Sequence, residues 1–231
     1  MALYALADLH FGFAVEKPMD LFGPQWANHS EKIIAHWKEM ITEEDMVLLP
    51  GDISWGMRLE DAAADLDILA QLPGKKVILE GNHDYWWKPS SQLRYRYPNM
   101  IFLKNDTARW GDLFLCGSRG WLCPNSKNFT PRDEKIYRRE EKRLQLSLDA
   151  AMRQGAKEIL VMLHFPPMNE AWEPSLFTEL MAHYPVTEVV YGHLHGKASH
   201  RTAFQGERDG IRYQLVSADY LDFCPKKIRE Q

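Results

Sequence analysis

The chain has 231 residues, of which 45% are hydrophobic and 26% charged, and its formal net charge is −4. It is long enough to bury one sizeable core, and we expect a single domain over residues 1–231. The negative net charge gives no overall field that attracts nucleic acid, so we do not expect nucleic acid as a partner.

The N-terminal residues lack the features of a targeting segment. Residues 1–7 are apolar but follow no basic residues, and they meet Asp8 too soon for a signal peptide or membrane span. No other stretch is apolar enough to cross a bilayer. The three cysteines, Cys116, Cys123 and Cys224, form no CxxC pair, which favours buried reduced thiols. We therefore expect a cytoplasmic protein without a membrane span.

The first third of the chain alternates buried strands, polar loops and helices. Asn28 followed by Glu31 predicts a capping box at the first helix, and Pro73-Gly74 ends the second. This alternation implies parallel strands with functional loops at their carboxyl ends. The predicted elements are strands at residues 3–7, 45–50 and 76–80, and helices at residues 28–41 and 59–72.

Residues 85–130 differ in character and are expected to form substrate-side loops and short strands. A long helix should start at Thr130-Pro131 and run to about residue 154, because a cap followed by proline favours a helix start. Its mixed charges indicate a solvated face. The charged tail from Pro225 is expected to fray. The remaining predicted elements are strands at residues 99–103, 107–110, 113–116, 158–163, 188–191 and 210–217, and a helix at residues 174–183.

Five clusters of polar side chains each follow a predicted strand. Any one of them alone is weak evidence for a site, but together they contain five of the nine histidines, and we interpret them as one site. The clusters are Asp8-x-His10, Gly51-Asp52, Gly81-Asn82-His83-Asp84, His164 and Gly192-His193-x-His195.

The chemistry that these clusters suit is two-metal hydrolysis. Mixed histidine and carboxylate ligands fit divalent Mn, Fe or Zn. Two such ions about 3.5–4 Å apart can share a carboxylate and a water, and the shared water, once deprotonated, attacks phosphorus in line. A nearby protonated histidine can give its proton to the leaving oxygen.

The motif order D-x-H, GD, GNHD, H and GHxH resembles the calcineurin-like metallophosphoesterase superfamily over residues 8–195. The resemblance implies an α+β fold, a four-layer α/β/β/α sandwich of two mixed β-sheets packed face to face with helices outside. It places a dimetal site at the C-terminal ends of the strands. It implies a small phosphorylated substrate, a phosphate mono- or diester, and leaves the oligomeric state open.

The resemblance also implies a role for each residue of the motifs. His83 would be the general acid without binding metal, and Asp84 would hold its ring. The implied ligands are Asp8, His10, Asp52 and His195 for the first ion, and Asn82, His164, His193 and the bridging Asp52 for the second.

The chain departs from the protein Ser/Thr phosphatases of this superfamily. Those proteins follow GD with an Asp-Arg-Gly that places a phosphate-binding arginine, and they carry GNHE. Here residues 53–56 read Ile-Ser-Trp-Gly and the fourth motif residue is Asp84, so protein phosphatase activity is not expected. Arg119, and after it Arg58, are the candidates to bind the substrate phosphate, with a packing or surface role as the alternative for each.

Two rival functions stay open at this point. A phosphoesterase-like scaffold without catalysis would usually show broken motifs, and none is broken here. A nuclease of the same superfamily would need a basic groove, against which the net charge argues. His200 either touches substrate or is exposed. Five tryptophans near the motifs either wall a pocket or pack loops onto the core: Trp55, Trp86, Trp87, Trp121 and Trp172.

Overall fold

Eleven strands and six α-helices are present in the computed structural model, which describes residues 1–87 and 90–231. The strands are β1 Ala2–Ala5, β2 Met46–Leu49, β3 Lys75–Ile78, β4 Met100–Phe102, β5 Ala108–Trp110, β6 Leu113–Ser118, β7 Ile159–Leu163, β8 Val186–Tyr191, β9 Gly206–Arg208, β10 Ile211–Leu215 and β11 Lys226–Glu230. The helices are α1 His29–Met40, α2 Leu59–Gln71, α3 Ser90–Arg96, α4 Pro131–Arg153, α5 Leu176–Met181 and α6 Gly196–His200, with 3-10 turns at Met19–Phe22, Pro24–Trp26 and Tyr85–Trp87.

The strands form two mixed sheets, as predicted. The first has the order β11-β1-β2-β3-β4, in which β11 is antiparallel to β1 and the other pairs are parallel. The second has the order β5-β6-β7-β8-β10-β9, with antiparallel strands β5 and β9 at its two edges. Helical crossovers connect most of the parallel strands.

The two sheets pack face to face, which confirms the four-layer arrangement. In β1, Leu3 and Ala5 belong to a core cluster that also contains Leu160 and Val190 of the second sheet. Tyr4 points the other way and joins the cluster beneath α1 and α2. A third cluster lies between the second sheet and α4 and α5. Because both faces of each sheet are covered, central strands such as β1, β2 and β7 read as continuous apolar runs.

Several local predictions are wrong. Residues 226–230 do not fray but pair with β1, because a charged edge strand satisfies its backbone while its side chains remain at the rim. Asn28 precedes α1 but makes no side-chain cap, since its backbone is left-handed at φ 54°, so the predicted capping box is absent. Helices α3 and α6 were not predicted. The predicted start of α4 is confirmed, with Thr130 N–H donating to Asp133 Oδ2 over 2.8 Å.

Other features of the described residues bear on the sequence analysis. The three cysteines are free, and Cys116 and Cys123 are buried as predicted. None of the described helices combines the length and the apolar character that a bilayer crossing requires.

The carboxyl ends of the central strands of both sheets meet at one edge. Ala7 N–H donates to Val216 O over 2.8 Å, and Asp8 N–H donates to Gly51 O over 3.0 Å. Gly192 N–H likewise donates to His164 O over 3.1 Å. The last two of these bonds join the loops of four of the five polar clusters in two pairs.

Candidate metal centre

The seven residues predicted as ligands all lie at this edge. Two groups of side-chain atoms are compact enough to hold an ion, each with its members within 4.8 Å of one another. The first group is Asp8, His10 and His195, and the second is Asp8, Asp52 and His164.

Asp52 belongs to the second group and also lies close to His10 of the first. Its Oδ2 is 3.4 Å from His164 Nε2 and 3.8 Å from His10 Nε2. The bridging role that the resemblance implies for Asp52 stays a prediction. Asp8 is the residue that the two groups share, with Oδ1 3.7 Å from His164 Nδ1 and 3.9 Å from His195 Nε2.

Asn82 and His193 border the second group. Asn82 Oδ1 lies 2.7 Å from His164 Nε2. The His193 ring is edge-on to the His164 ring, with centroids 5.1 Å apart, and packs against Phe165 at 3.9 Å. His193 N–H donates to both carboxylate oxygens of Asp8, at 3.1 and 2.9 Å. The structure thus brings all seven residues together, and their roles as ligands stay predictions.

Four of these residues have left-handed backbone conformations, which are rare for side chains with a Cβ. The values of φ are 62° at Asp8, 46° at His10, 55° at Asp52 and 73° at His193. Such conformations cost free energy and persist where the surrounding structure enforces them, most often at functional sites. The backbone is therefore bent at the residues that direct polar groups to one point.

Two motif glycines are required because of space. A Cβ at Gly81 would overlap Asp52 Oδ1 and the Asp52 backbone nitrogen. A Cβ at Gly192 would lie 2.5 Å from Ala7 Cβ and 2.6 Å from Asp8 Oδ2. Gly81 is thus needed for the close approach of its loop to the Asp52 loop.

The protonation preferences of the cluster suit a metal site. Burial lowers the pKa of His10, His164 and His193, that of His164 to about 3, so these imidazoles are neutral and free to bind a cation. Burial raises the pKa of Asp8 to about 7, although His195 acts in the opposite direction. Burial also raises the pKa of Asp52.

This donor set fits divalent cations. Two buried carboxylates and neutral imidazoles offer oxygen and nitrogen ligands of the kind that Mn, Fe and Zn accept. Positive charge is what the group needs, because ionised Asp8 and Asp52 repel each other in a buried position. The residues that would hold the ions are therefore those of the two groups with Asn82 and His193 beside them.

Asp84 does not hold the ring of His83, and this part of the prediction is corrected. Its carboxylate accepts the backbone N–H groups of Gly81, Asp52 and Ile53 at 2.8–2.9 Å. It also accepts the N–H of Ser54 and the indole N–H of Trp86. None of the hydrogen bonds found among the described residues joins it to the His83 ring, because both its oxygens are occupied by these donors.

His83 instead contacts an aromatic wall. Its ring centroid is 4.5 Å from that of Trp55 and 5.8 Å from that of His10. Trp55 also stacks on His10 at 4.8 Å with the planes inclined by 22°. The backbone N–H of His83 donates to Asp52 Oδ1 over 2.8 Å, which ties the loop of His83 to the two groups.

Asp219 is a functional candidate that the sequence analysis missed. Its side chain is 2% exposed, its Oδ1 lies 3.0 Å from His195 Nδ1, and its Oδ2 accepts Gly196 N–H over 2.8 Å. His200 Nε2 lies 3.4 Å from Oδ2. Burial alone would raise the pKa of Asp219, but the hydrogen bond with His195 and the nearby His200 ring hold it well below its ordinary value. A carboxylate on the far nitrogen of a ligand histidine fixes its tautomer and orientation.

The two candidate phosphate-binding arginines lie in different settings. Arg119 borders the site, since its carbonyl accepts His164 N–H over 3.1 Å, and its guanidinium lies over Trp121 and 3.5 Å from Glu140. Arg58 precedes α2 and is 79% exposed, with NH1 3.3 Å from Glu60. Substrate binding by either arginine stays a prediction.

The tryptophans divide between the two alternatives, and substrate contact by His200 stays a prediction. Trp86 and Trp87 are 1% exposed and pack in the first core cluster, whereas Trp55 walls the site. Trp172 is 43% exposed, and its indole N–H donates to the Thr202 carbonyl. The expectation of an exposed His200 is wrong, because 12% of its side chain is accessible beside Asp219.

A family model described as "Calcineurin-like phosphoesterase" matches residues 1–197. The chain is 34% identical to the Gene 66 protein of Mycobacterium phage D29 over 110 residues, which cover 45% of this chain and 52% of that protein. It is 24% identical over 164 residues to a probable cyclic nucleotide phosphodiesterase of Vesicomyosocius okutanii, and 27% identical over 168 residues to one of Ruthia magnifica. These matches cover 67% and 68% of this chain and 64% of each relative.

Two solved structures resemble this chain at low sequence identity. A protein of unknown function from Aquifex aeolicus is 14% identical, with a TM-score of 0.49 and coverage of 98% of this chain and 95% of that one. A second solved structure is 14% identical, with a TM-score of 0.51 and coverage of 91% and 88%. At this identity the second likeness concerns the fold alone.

Proposed function

This chain belongs to the calcineurin-like phosphoesterase family, and we propose that it hydrolyses a phosphate mono- or diester with two divalent metal ions. The observation that supports the proposal most is the convergence of Asp8, Asp52, His10, His164 and His195 on two overlapping groups. Bound Mn, Fe or Zn would activate water and stabilise charge on the phosphate oxygens.

The side chains around these groups would divide the remaining work. Asp52, between His10 and His164, would hold both ions, and Asn82 and His193 would complete the second. His83 would give its ring proton to the oxygen of the leaving group as the ester bond breaks. Trp55 packs against the His83 ring, so that it excludes water from one side of the proton donor.

The names of two relatives support an ester substrate but do not fix its kind. Both are described as probable cyclic nucleotide phosphodiesterases, and the matched region spans 64% of their length. We propose a small phosphorylated substrate here, with Arg119 the better-placed of the two arginines to approach its phosphate. The intact motifs argue against a scaffold without catalysis, and the net charge of −4 argues against a nuclease.

The test compares two leaving groups in Mn-loaded protein. We expect His83→Asn to lower turnover of phenyl phosphate by about 10²–10⁴-fold, because phenolate is a poor leaving group without a proton. With p-nitrophenyl phosphate, whose leaving group needs little protonation, the loss should be at least about 10-fold smaller. Asn82→Ala should slow both substrates alike, since its predicted role is to hold metal.

The exposed His183 supplies the matched control, and His183→Asn should leave both rates unchanged. Equal losses with both substrates in His83→Asn would contradict a general acid at this position. Elemental analysis that finds no bound metal, together with no turnover of either substrate after Mn addition, would favour the scaffold instead.

A further inference from the structure

Two separate clefts begin at the candidate metal centre. One has a volume of about 440 Å³ and begins at His193 and Leu194. The other has a volume of about 340 Å³ and begins at His10, where Lys17 and Trp26 also line it. Pockets for small ligands commonly have volumes of this order. The site therefore has room for organic groups on both sides of a phosphate.

The cleft at His193, which we name the His193 cleft, has walls suited to an uncharged group. Its apolar surface comes from Leu122, Met168 and Leu194, with Ala198 on α6. Apolar surface of this kind packs against a ring or a base.

Hydrogen-bonding groups without charge supply the rest of the walls. Ser126 and Asn128 come from the loop before α4, and Ser199 and Thr202 come from α6 and the turn after it. Hydroxyl and amide groups both donate and accept, so they can pair with sugar hydroxyls and base edges.

Charge on the walls is balanced. Apart from His193 and the Cys123 thiol, the charged or titratable side chains among the described lining residues are Lys127 and Glu170, one of each sign. A polyphosphate or other anionic group would need several cations, and the His193 cleft offers one, opposed by a carboxylate. An uncharged group does not need such cations for binding.

The direction of the leaving group separates the roles of the two clefts. His83 lies against Trp55 and His10, so a leaving oxygen that takes its proton is on the side of the cleft at His10. A group in the His193 cleft would then be one that stays attached to phosphorus. A monoester has a single organic group, whereas a diester has one for each cleft.

We propose that the His193 cleft binds the retained, uncharged organic group of a phosphodiester substrate, a group of the size and polarity of a nucleoside. The proposal rests on the proposed function. Water adds to phosphorus and releases a proton to solvent, the bond from phosphorus to the leaving oxygen breaks, and that oxygen takes the proton of His83. Solvent then returns a proton to His83. The product is a phosphomonoester that still carries the group held in the His193 cleft.

Three substrates with one leaving group test the proposal in Mn-loaded protein: p-nitrophenyl phosphate, ethyl p-nitrophenyl phosphate and thymidine 5′-(p-nitrophenyl phosphate). We expect kcat/KM for the thymidine diester to exceed that for the ethyl diester by at least about 10-fold. Ser199→Trp, which fills the His193 cleft, should reduce this ratio by at least about 10-fold.

Lys197→Trp is the matched control, because Lys197 is exposed on the same short helix and does not line the cleft. It should keep the wild-type ratio. Ser126→Trp fills the cleft from another wall and should repeat the effect of Ser199→Trp if that variant is poorly folded. Saturation-transfer NMR of thymidine with metal-free protein gives a readout without turnover: transfer is expected in wild type and Lys197→Trp, and is expected to be lost in Ser199→Trp.

The outcomes separate the two proposals. No hydrolysis of any of the three substrates would overturn the proposed function itself. Hydrolysis with equal kcat/KM for the two diesters, a preference for p-nitrophenyl phosphate, or an unchanged ratio in both tryptophan variants of the cleft would overturn this inference and leave the proposed function standing.

Discussion

Asp84 and Asp219 are both buried acids beside histidines of the candidate metal centre, but they contact different kinds of group. Asp84 follows His83 directly in the chain, and its carboxylate accepts four backbone N–H groups and the indole N–H of Trp86. Asp219 is 24 residues from His195 in the chain, and yet its carboxylate contacts the His195 ring.

The difference shows that neighbours in a motif need not be partners in space. The backbone N–H groups of two loops are buried at Asp84, and an unpaired buried donor costs about 1–3 kcal/mol. Asp84 therefore stabilises the loops themselves. Asp219 orients one ring, which affects how well a metal is held more than whether the loops form.

The largest expected effect comes from Asp84→Ala. Removing the carboxylate leaves buried N–H groups of Gly81, Asp52 and Ile53 without acceptors, so the free energy of unfolding should fall by on the order of 3–5 kcal/mol. Urea denaturation of metal-free protein measures this loss as a lower midpoint at constant slope.

Asp219→Ala in the same metal-free protein is the comparison, and it should cost clearly less. The distinction between the two acids would be wrong if Asp84→Ala had a free energy of unfolding within about 1 kcal/mol of wild type but a lower turnover. Asp84 would then act through His83 after all, as the motif first suggested.

These contacts also show what the sequence could predict. The ligand positions follow from local signals, because each polar cluster comes directly after an apolar run and parallel strands bring such ends to one edge. The partner of Asp84 could not be predicted, since it depends on the turn of the loop at Gly81 and the close approach of the Asp52 loop.

Asp219 was missed for a related reason. Its contact with His195 depends on β10 lying beside β8, a pairing that no spacing in the chain reveals. A signal was present nonetheless, because Asp219 follows the predicted strand at residues 210–217 as the other polar clusters follow theirs. Similarly, the charges of residues 226–230 concealed an edge strand, since pairing there uses the backbone and not the side chains.

Asp8 combines the two kinds of contact and sharpens the comparison by its pH dependence. Burial raises its pKa from 3.8 to about 7. In metal-free protein the favourable contribution of Asp8 to the free energy of unfolding is therefore complete below pH 4 and is lost as the pH rises through 7. Asp8→Asn removes this loss. We expect the stability of Asp8→Asn relative to wild type to rise by on the order of a few kcal/mol between pH 4.5 and 7.5.

Added metal should stabilise wild type more than Asp8→Asn, because a divalent ion binds the ionised carboxylate. With Mn added at pH 7.5, wild type should gain more in Tm than Asp8→Asn does. The histidines of lowered pKa are present in both proteins, so their contributions to the pH dependence cancel in the difference in stability between wild type and Asp8→Asn. A difference that does not change with pH in metal-free protein would show that Asp8 is not a buried acid of raised pKa.

A smaller and more specific effect is expected of Asp219 on metal affinity. Asp219→Ala frees the His195 ring to rotate and removes the carboxylate that contacts its Nδ1. Zn or Mn should therefore bind about 10–100-fold more weakly. Asp219→Asn keeps an acceptor oxygen for Nδ1, so its metal affinity should lie between those of wild type and Asp219→Ala. Competition with a chelating indicator measures these affinities without any substrate.

His200→Gln separates orientation from general packing around Asp219. His200 lies 3.4 Å from Oδ2, the oxygen that does not face His195, so its replacement leaves the bond from His195 to Oδ1 in place. We expect its metal affinity to stay within about 2-fold of wild type. If His200→Gln weakened metal binding as much as Asp219→Ala, Asp219 would act by holding the segment from Gly196 to His200 in place, as Asp84 holds its loops, and the distinction between the two acids would disappear.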